Sequence, residues 1–412
     1  MQYGCIGEHL THSFSKEIHA RLQGYLYELK PIPMGELDAF MTARDFRAVN
    51  VTMPYKQAVM SYLAQIDPTA AAIGAVNTVV NRDGALWGYN TDFGGLRDLI
   101  CRTGIQVAGK KVLILGTGGT SNTAMAVAKH LGAASVLKVS RREKPGAVTY
   151  ESALREHTDA QVLINTTPRG MFSGEEGMAI DPRLFGDLCG VVDVVYNPLR
   201  TEFVRTARGM GVPAAGGLYM LVRQAVLASE IFLGIRYPED TTETVYRKIK
   251  ASKENIVLTG MPGSGKTTVG KALAEELGRP YVDTDLLIEE KTGMTPGQII
   301  RIRGEAAFRD LETDVIREAA QANGTVIATG GGAVLREENV DLLRGNGKIY
   351  FLDRPVEQLI PTKERPLAAT KEAITQRYNE RYRTYVAAAD AVIKNAGRPE
   401  EAVQLVKRSF LP

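Results

Sequence analysis

Gly260-Met-Pro-Gly263-Ser264-Gly265-Lys266-Thr267 matches G-x-x-x-x-G-K-[ST], and it leaves the chain around it little freedom. Ahead of it, Ile256-Val-Leu-Thr259 is a short apolar run of strand type, and residues 269–277 behind it repeat apolar residues at helical spacing. A strand feeding a glycine turn and then a helix gathers backbone N–H groups and the positive helix end around a phosphate. Glycines let the backbone curl close, Lys266 reaches the outer phosphates, and the Thr267 hydroxyl can ligate Mg²⁺. A plain glycine loop before a helix is the bland alternative, and strand, loop, Lys-Thr and helix together favour nucleotide binding. The motif starts at residue 260 of 412, so what precedes it is a separate folding unit.

The length allows two to four domains, and 44% hydrophobic with 24% charged residues is ordinary for a globular chain. A net charge of +3 argues neither for a nucleic acid nor for a membrane surface as partner. Cys5, Cys101 and Cys189 are odd in number and far apart, which suits reduced thiols in the cytoplasm. No secretory leader is read at the N-terminus, and no apolar run approaches the ~18 residues that span a bilayer.

In the first hundred residues, Ser13-Phe-Ser15 precedes a helical pattern through Leu22, where two hydroxyls would ordinarily be caps. Asn50-Val-Thr52-Met-Pro54-Tyr-Lys56 reads as a strand and a proline turn that leave Lys56 near a helix start, where a lone Lys is ordinarily a solvated charge. Asn77 interrupts an apolar strand, and Tyr89-Asn-Thr-Asp92 turns into a helix that Asp92 could cap. Further on, residues 110–115 form a buried-type strand entering Gly116-Thr-Gly118-Gly119-Thr120-Ser121, the dinucleotide version of phosphate binding with a small Ser121 at the third glycine position. The next strand ends in Ser140-Arg141-Arg142, and two arginines there favour the 2′-phosphate of NADP over the ribose of NAD. Asn165-Thr166-Thr-Pro-Arg-Gly-Met171 and Val192-Asp193-Val-Val-Tyr196 are polar strand ends, where open α/β sheets hold ligands. A helix containing Met220-Leu-Val-Arg-Gln224 closes this half, with Gln224 the polar residue of interest.

Taken in order over residues 1–237, these blocks resemble shikimate dehydrogenase. The resemblance implies that Ser13, Ser15, Thr52, Asn77, Asp92 and Gln224 hold the substrate, with Tyr196 near its carboxylate. It implies Lys56 and Asp92 as the catalytic pair, and NADP contacts from Gly116, Gly118, Gly119, Thr120, Ser140, Arg141, Arg142 and Thr166. Glu8-His-Leu and Ala48 depart from the family pattern at the rim of the site.

In the last 160 residues, Asp283 and Asp285 read as alternate positions of a strand end, both on one face. Glu305, Arg309 and Glu312 share one side of a helix, the spacing of a surface ion-pair ladder. A buried strand ends in Gly330-Gly331-Gly332, Glu364-Arg365-Pro-Leu sits in a turn, and Arg381 lies on a helix. This series resembles shikimate kinase over about residues 254–412. The resemblance implies ATP contacts from Gly260, Gly263, Ser264, Gly265, Lys266, Thr267, Thr268 and Arg365, and Mg²⁺ partners in Thr267 and Asp283. It implies a shikimate cradle of Asp285, Arg309, the Gly330, Gly331 and Gly332 backbone and Arg381, with Asp285 nearest the attacking hydroxyl. Arg365 and Lys266 would neutralise charge on the transferred phosphoryl group.

The expected fold is α/β: a two-lobed dehydrogenase with a Rossmann-type cofactor lobe, followed by a parallel-sheet P-loop kinase. The substrate lobe is expected at residues 1–106, completed by 214–246, the cofactor lobe at 107–213, a linker at 247–254 and the kinase at 255–412. What the resemblances imply is a bifunctional cytoplasmic enzyme that reduces 3-dehydroshikimate with NADPH and phosphorylates shikimate with Mg·ATP. Monomer and homodimer both stay open, as do three rival readings: a catabolic NAD-dependent quinate dehydrogenase, one catalytically dead regulatory half, and a generic P-loop sensor fused to a reductase.

Overall fold

Runs of aliphatic and β-branched residues assemble into three sheets in the computed structural model, which describes residues 1–411 except 9, 11–13, 23, 173 and 360–369. Two compact units divide the chain, Met1–Ile249 and Lys250–Pro412. Ser13 and Arg365 lie outside the described residues.

In the first unit, β1 (Tyr3–Gly7), β2 (Tyr27–Pro31), β3 (Ala48–Val51), β4 (Gln65–Ile66), β5 (Thr78–Arg82) and β6 (Ala85–Tyr89) form a mixed sheet in the order β2-β1-β3-β5-β6-β4. β1 pairs parallel with β2 and β3, whereas β5 pairs antiparallel with β3 and β6. The β5–β6 hairpin turns through Asp83-Gly84, both at positive φ (50° and 87°), the Asp-Gly preference of a tight hairpin. After β6, Asn90 accepts from the Phe93 N–H and caps the helix Thr91–Thr103, and Gly104 ends it in the left-handed conformation.

The second sheet holds β7 (Lys111–Leu115), β8 (Ser135–Ser140), β9 (Ala147–Thr149), β10 (Val162–Asn165), β11 (Gly190–Asp193) and β12 (Ala214–Ala215). All its strands are parallel, in the order β12-β11-β10-β7-β8-β9. That is the doubly wound order in which direction reverses between the first and fourth strands, here β7 and β10. β12 lies past residue 213, so this sheet extends beyond the expected lobe limit. The helix Leu218–Leu233 then packs its apolar residues back on the first lobe: Val222 and Val226 cluster with Phe14 and Ile18 at the short N-terminal helix, and Ala228 and Phe232 with Cys5, Tyr27 and Val80 of the first sheet. Each such Val, Ile or Phe side chain, once fully buried, contributes ~1.5–3 kcal/mol.

In the second unit, β13 (Asn255–Thr259), β14 (Tyr281–Asp283), β15 (Val326–Ala328), β16 (Gly347–Asp353) and β17 (Ala391–Lys394) form a parallel sheet, ordered β14-β15-β13-β16-β17. Its core is double-sided, Val257, Ile327 and Phe351 facing one way and Ile256, Leu258 and Leu352 the other.

Several local expectations change. Residues 247–253 are not extended but complete the helix Thr241–Lys253, whose Val245 and Ile249 are buried. The helix after Ser13-Phe-Ser15 is short, Ser15–His19. Lys56 lies in the turn after the cis Met53–Pro54 bond, ahead of the 3-10 helix Ala58–Tyr62. Asp283 ends β14 but Asp285 is already in the helix Thr284–Thr292, because the Asp283 carboxylate caps that helix through the Asp285 N–H. The cysteines are free, Cys5 buried and Cys101 exposed. Among the described residues, no helix is long and apolar enough to cross a membrane.

Candidate active sites

Lys56 and Asp92 meet in the first unit, Nζ donating to Oδ2 at 2.6 Å. Asp92 sits in the first turn of the helix Thr91–Thr103, where the positive helix end favours a carboxylate. Its neighbour Thr91 is held from two sides: its N–H donates to Asn77 Oδ1 (2.7 Å) and its hydroxyl accepts from Asn77 Nδ2 (3.0 Å). The Val76 N–H in turn donates to the Lys56 carbonyl (2.8 Å), so the short segment Val76-Asn77 that leads into β5 ties both partners of the pair. Gln224 approaches from the returning helix, its Oε1 3.5 Å from the Thr91 hydroxyl. Thr52 follows β3 directly, its N–H bonded to the Ile6 carbonyl at 2.9 Å. Ser15 opens its short helix beside Phe14, whose ring centroid lies 5.2 Å from that of Tyr196. Burial raises the Tyr196 phenol above its ordinary range.

Behind this face lies a layer that sequence reasoning passed over. Tyr27 donates to Asn50 Oδ1 (2.7 Å), and Asn50 Nδ2 donates to the Asn77 carbonyl (3.3 Å) and the Thr78 hydroxyl (3.1 Å). The signal was Asn50 itself, a fully hydrogen-bonding amide inside an apolar strand.

At the sheet's switch point, Thr166 at the end of β10 donates its N–H and its hydroxyl to the Leu115 carbonyl at the end of β7 (2.9 and 2.7 Å). Gly116 runs at φ 111°, and a Cβ there would stand 2.8 Å from Thr166 Oγ1. Gly118 precedes the helix Gly119–His130 without any side-chain cap, and a Cβ on Gly118 or Gly119 would meet nothing within 4 Å. Free N–H groups at an open helix start fit a dinucleotide phosphate. Thr120 is half-buried and Ser140 buried, while Arg141 and Arg142 are exposed. Arg141 pairs with Glu175 at 3.3 Å, and the same carboxylate takes Arg169 at 3.5 Å. Arg169 was missed as a cofactor candidate, although it stands within Asn165-Thr-Thr-Pro-Arg. Asp193 is buried under this corner. It accepts from Asn165 Nδ2 (2.9 Å), the Val195 N–H (3.0 Å) and the Thr201 hydroxyl (2.7 Å), and burial pushes its pKa to about 6.

The second unit holds a cavity of about 440 Å³ lined by Gly263, Gly265, Lys266, Thr267, Thr268, Asp283, Asp285, Arg309, Gly330, Gly331, Gly332 and Arg381 among others. Gly260 runs at φ 148° at the loop's start. Lys266 Nζ donates to the Gly260 and Met261 carbonyls (2.9 and 3.0 Å). Among the described residues, Ser264 Oγ is buried without a partner and no side chain caps the helix Lys266–Leu277, which fits an arriving phosphate. Thr267 donates to Asp283 Oδ2 at 3.0 Å, setting side by side two hard oxygen donors of the kind Mg²⁺ takes.

The Glu305, Arg309 and Glu312 set is no surface ladder: Arg309 and Glu312 are both buried. Arg309 donates to Glu312 Oε2 (2.6 Å) and Glu305 Oε1 (3.0 Å), and burial raises the Glu312 carboxyl above its ordinary range against the pull of Arg309. The Arg309 guanidinium lies where a Cβ on Gly332 would be, so any larger residue there would displace it. Arg381 donates to the Gly331 carbonyl at 3.3 Å, and Tyr385 donates to the same oxygen. Arg354 and Arg377 also line the cavity and were not singled out by sequence.

Comparison with known proteins agrees with this division. The family model described as "Shikimate dehydrogenase substrate binding domain" matches residues 5–79, and that described as "Shikimate kinase" matches residues 262–410. The chain is 34% identical over 265 residues to a shikimate dehydrogenase (NADP(+)) of Clostridium perfringens, covering 60% of this chain and 98% of that protein. It is 36% identical over 275 residues to one of Symbiobacterium thermophilum, covering 58% and 92%. Among solved structures, shikimate dehydrogenase 1 of Peptoclostridium difficile has a TM-score of 0.55 at 33% identity, covering 60% of this chain and 97% of that one. Shikimate 5-dehydrogenase of Thermus thermophilus in complex with NADP(H) and shikimate has a TM-score of 0.54 at 30% identity, covering 60% and 99%.

Proposed function

Since the chain belongs to the shikimate dehydrogenase family and carries a shikimate kinase domain after it, we propose that one polypeptide catalyses two consecutive reactions. The first unit reduces 3-dehydroshikimate to shikimate, and the second phosphorylates shikimate. The ketone reduced in the first becomes the hydroxyl phosphorylated in the second. Both act in the cytoplasm on small molecules, without a nucleic acid or membrane partner, a reading supported by the free thiols and the small net charge. The observation that carries the reading is that a Lys56–Asp92 pair beside a doubly wound sheet and a phosphate-loop cavity lined by buried Arg309 occur in one chain.

NADPH supplies the hydride for the first reaction, and Mg·ATP the phosphoryl group for the second. In the first unit, Gly116, Gly118, Gly119, Thr120 and Thr166 hold the dinucleotide, with Ser140, Arg141 and Arg142 at its 2′-phosphate. Ser15, Thr52, Asn77, Tyr196 and Gln224 orient the substrate, with Ser13 in the same role. Lys56 hydrogen-bonds the ketone oxygen and passes it a proton as it becomes a hydroxyl, while Asp92 keeps the ammonium aimed at that oxygen, an effect worth ~10²–10⁴ in rate.

In the second unit, Gly260, Gly263, Ser264, Gly265, Lys266 and Thr268 cradle the phosphates, and Thr267 and Asp283 face the metal ion. Arg309, Arg381 and the glycines Gly330, Gly331 and Gly332 hold shikimate. Asp285 accepts the proton of the attacking hydroxyl, and Arg365 neutralises charge on the transferred group. Phosphoryl transfer asks mainly for such positioning and charge neutralisation.

Incubation with 3-dehydroshikimate, NADPH and ATP tests the whole reading. NADPH absorbance should fall and ADP should appear in equal final amounts. Oxidation of NADPH with no ADP release, even when shikimate is added, would reject the two-enzyme reading, as would ADP release from shikimate with no NADPH oxidation.

A further inference from the structure

We propose that Arg354 is a nucleotide-contacting residue, its guanidinium engaging the inner phosphate and adjoining base of the phosphoryl donor. The proposal deepens the kinase reading of the second unit and rests on it. β16 ends at Asp353, and Arg354 is the first residue past its carboxyl end, the end at which parallel sheets hold ligands. β16 is hydrogen-bonded to β13, the strand that feeds the phosphate loop. Arg354 therefore leaves the sheet beside that loop and lines its cavity. A Cβ built on Gly265 would stand 3.9 Å from Arg354 Nη1.

The direction of approach identifies the part of the ligand. β13 has β15 on one side and β16 on the other. The triple glycine follows β15, and Arg309 and Arg381 gather around it. With the phosphoryl acceptor on that flank, the outer phosphate must point towards β15 and the rest of the nucleotide towards β16, where Arg354 stands.

The hydrogen-bond inventory agrees. Arg354 Nε is buried and has no acceptor among the described residues. An unsatisfied buried N–H carries the full desolvation cost of the group, so it marks a place where an acceptor is missing. The neighbouring carboxylate is taken: Asp353 accepts from Tyr378 (2.8 Å) and Lys394 (2.6 Å). Nearby Asn395 gives its Nδ2 to the Ser264 carbonyl at 2.6 Å. Arg309 and Arg381 are committed on the far flank. A planar guanidinium suits the task, since it forks onto phosphate oxygens and lies flat on an aromatic base.

Titration calorimetry on the full chain with ADP and with AMP tests this. Arg354→Gln should weaken both by about ten- to a hundredfold, the range of a lost charge-assisted hydrogen bond. Arg354→Lys, which keeps the charge without the fork, should fall between the two. Shikimate affinity and NADPH-dependent ketone reduction should stay at parental values, which certifies the fold of each unit. Dissociation constants for ADP and AMP within about twofold of the parent would overturn the inference and leave the kinase reading intact. So would an equal loss of shikimate binding, because that marks a general structural role. A parent chain that binds no ADP would instead remove the kinase reading.

Discussion

Lys56 Nζ stands 2.6 Å from Asp92 Oδ2, although 36 residues separate them in the chain. Their side chains are 18% and 10% exposed, so the pair is partly withdrawn from water and its attraction exceeds that of a surface pair. Its members come from a proline turn and a helix start, two places with no local relation. The Lys56 carbonyl, Val76, Asn77 and Thr91 make the connection.

Independent chemistry in the two units gives the first prediction. Lys56→Ala should lower ketone reduction by ~10²–10⁴ while phosphorylation of added shikimate is unchanged. Lys266→Ala should do the converse. Pyridine absorbance and ADP release, measured on the same folded preparations, check both.

Cofactor choice gives the second. Arg141→Ser should cut the preference for NADPH over NADH by roughly ten- to a hundredfold, read as the ratio of kcat/KM values. Glu175 now occupies both Arg141 and Arg169. Glu175→Gln should therefore lower the KM for NADPH by about twofold, the small effect expected of exposed pairs. An unchanged preference in the Arg141 variant would mean that the 2′-phosphate is read elsewhere.

A methyl group can test the second unit's cradle. In Gly332→Ala the new Cβ would fall on the Arg309 guanidinium, which Glu305 and Glu312 hold in place. Shikimate phosphorylation should drop by at least about tenfold, mainly through a higher KM for shikimate, because the arginine must leave its position. ADP affinity and ketone reduction should be unaffected. Parental kinetics would show that Arg309 does not hold the substrate.

Stability of the first unit should depend on pH through Asp193. Burial holds its folded pKa at about 6, above the ~3.9 of an unfolded Asp. Its contribution is thus fully present below about pH 4 and is lost as pH rises through about 6. Asp193→Asn cannot ionise and keeps an oxygen for the Asn165 and Val195 donors. The chain's one tryptophan, Trp87, lies in β6 and reports this unit alone. Urea melts followed by its fluorescence should show the parent losing stability relative to the variant between pH 4 and 6. Parallel curves would place the Asp193 pKa outside that window.

Residue order alone was enough to place both glycine loops, each between an apolar strand and a helix. A glycine run after an apolar strand and before a helix is a local pattern, and the phosphate site it builds uses backbone groups of that same stretch. Lys266, Thr267, Gly116 and Gly118 were legible for that reason. Lys56, Asp92 and Arg309 became candidates through ordered family-like blocks, since taken singly their residue types also suit a solvated charge, a cap and a surface ladder.

Tertiary structure decided what depends on residues distant in sequence. Arg309 and Glu312 have the spacing of an exposed ion pair, and burial of their helix face against the glycine turn made them an interior pair. Asp285 follows Asp283 by two residues, and capping by Asp283 turned an apparent strand face into the first turn of a helix. Asn50 and Arg354 carry no local pattern: Asn50 bonds to residues distant in sequence, and Arg354 Nε has no acceptor among the described residues. Asp193 joins nearby Val195 and Thr201 to Asn165 on another strand. Local propensity acts within a few residues, whereas burial and hydrogen-bond satisfaction are settled only when the sheets close.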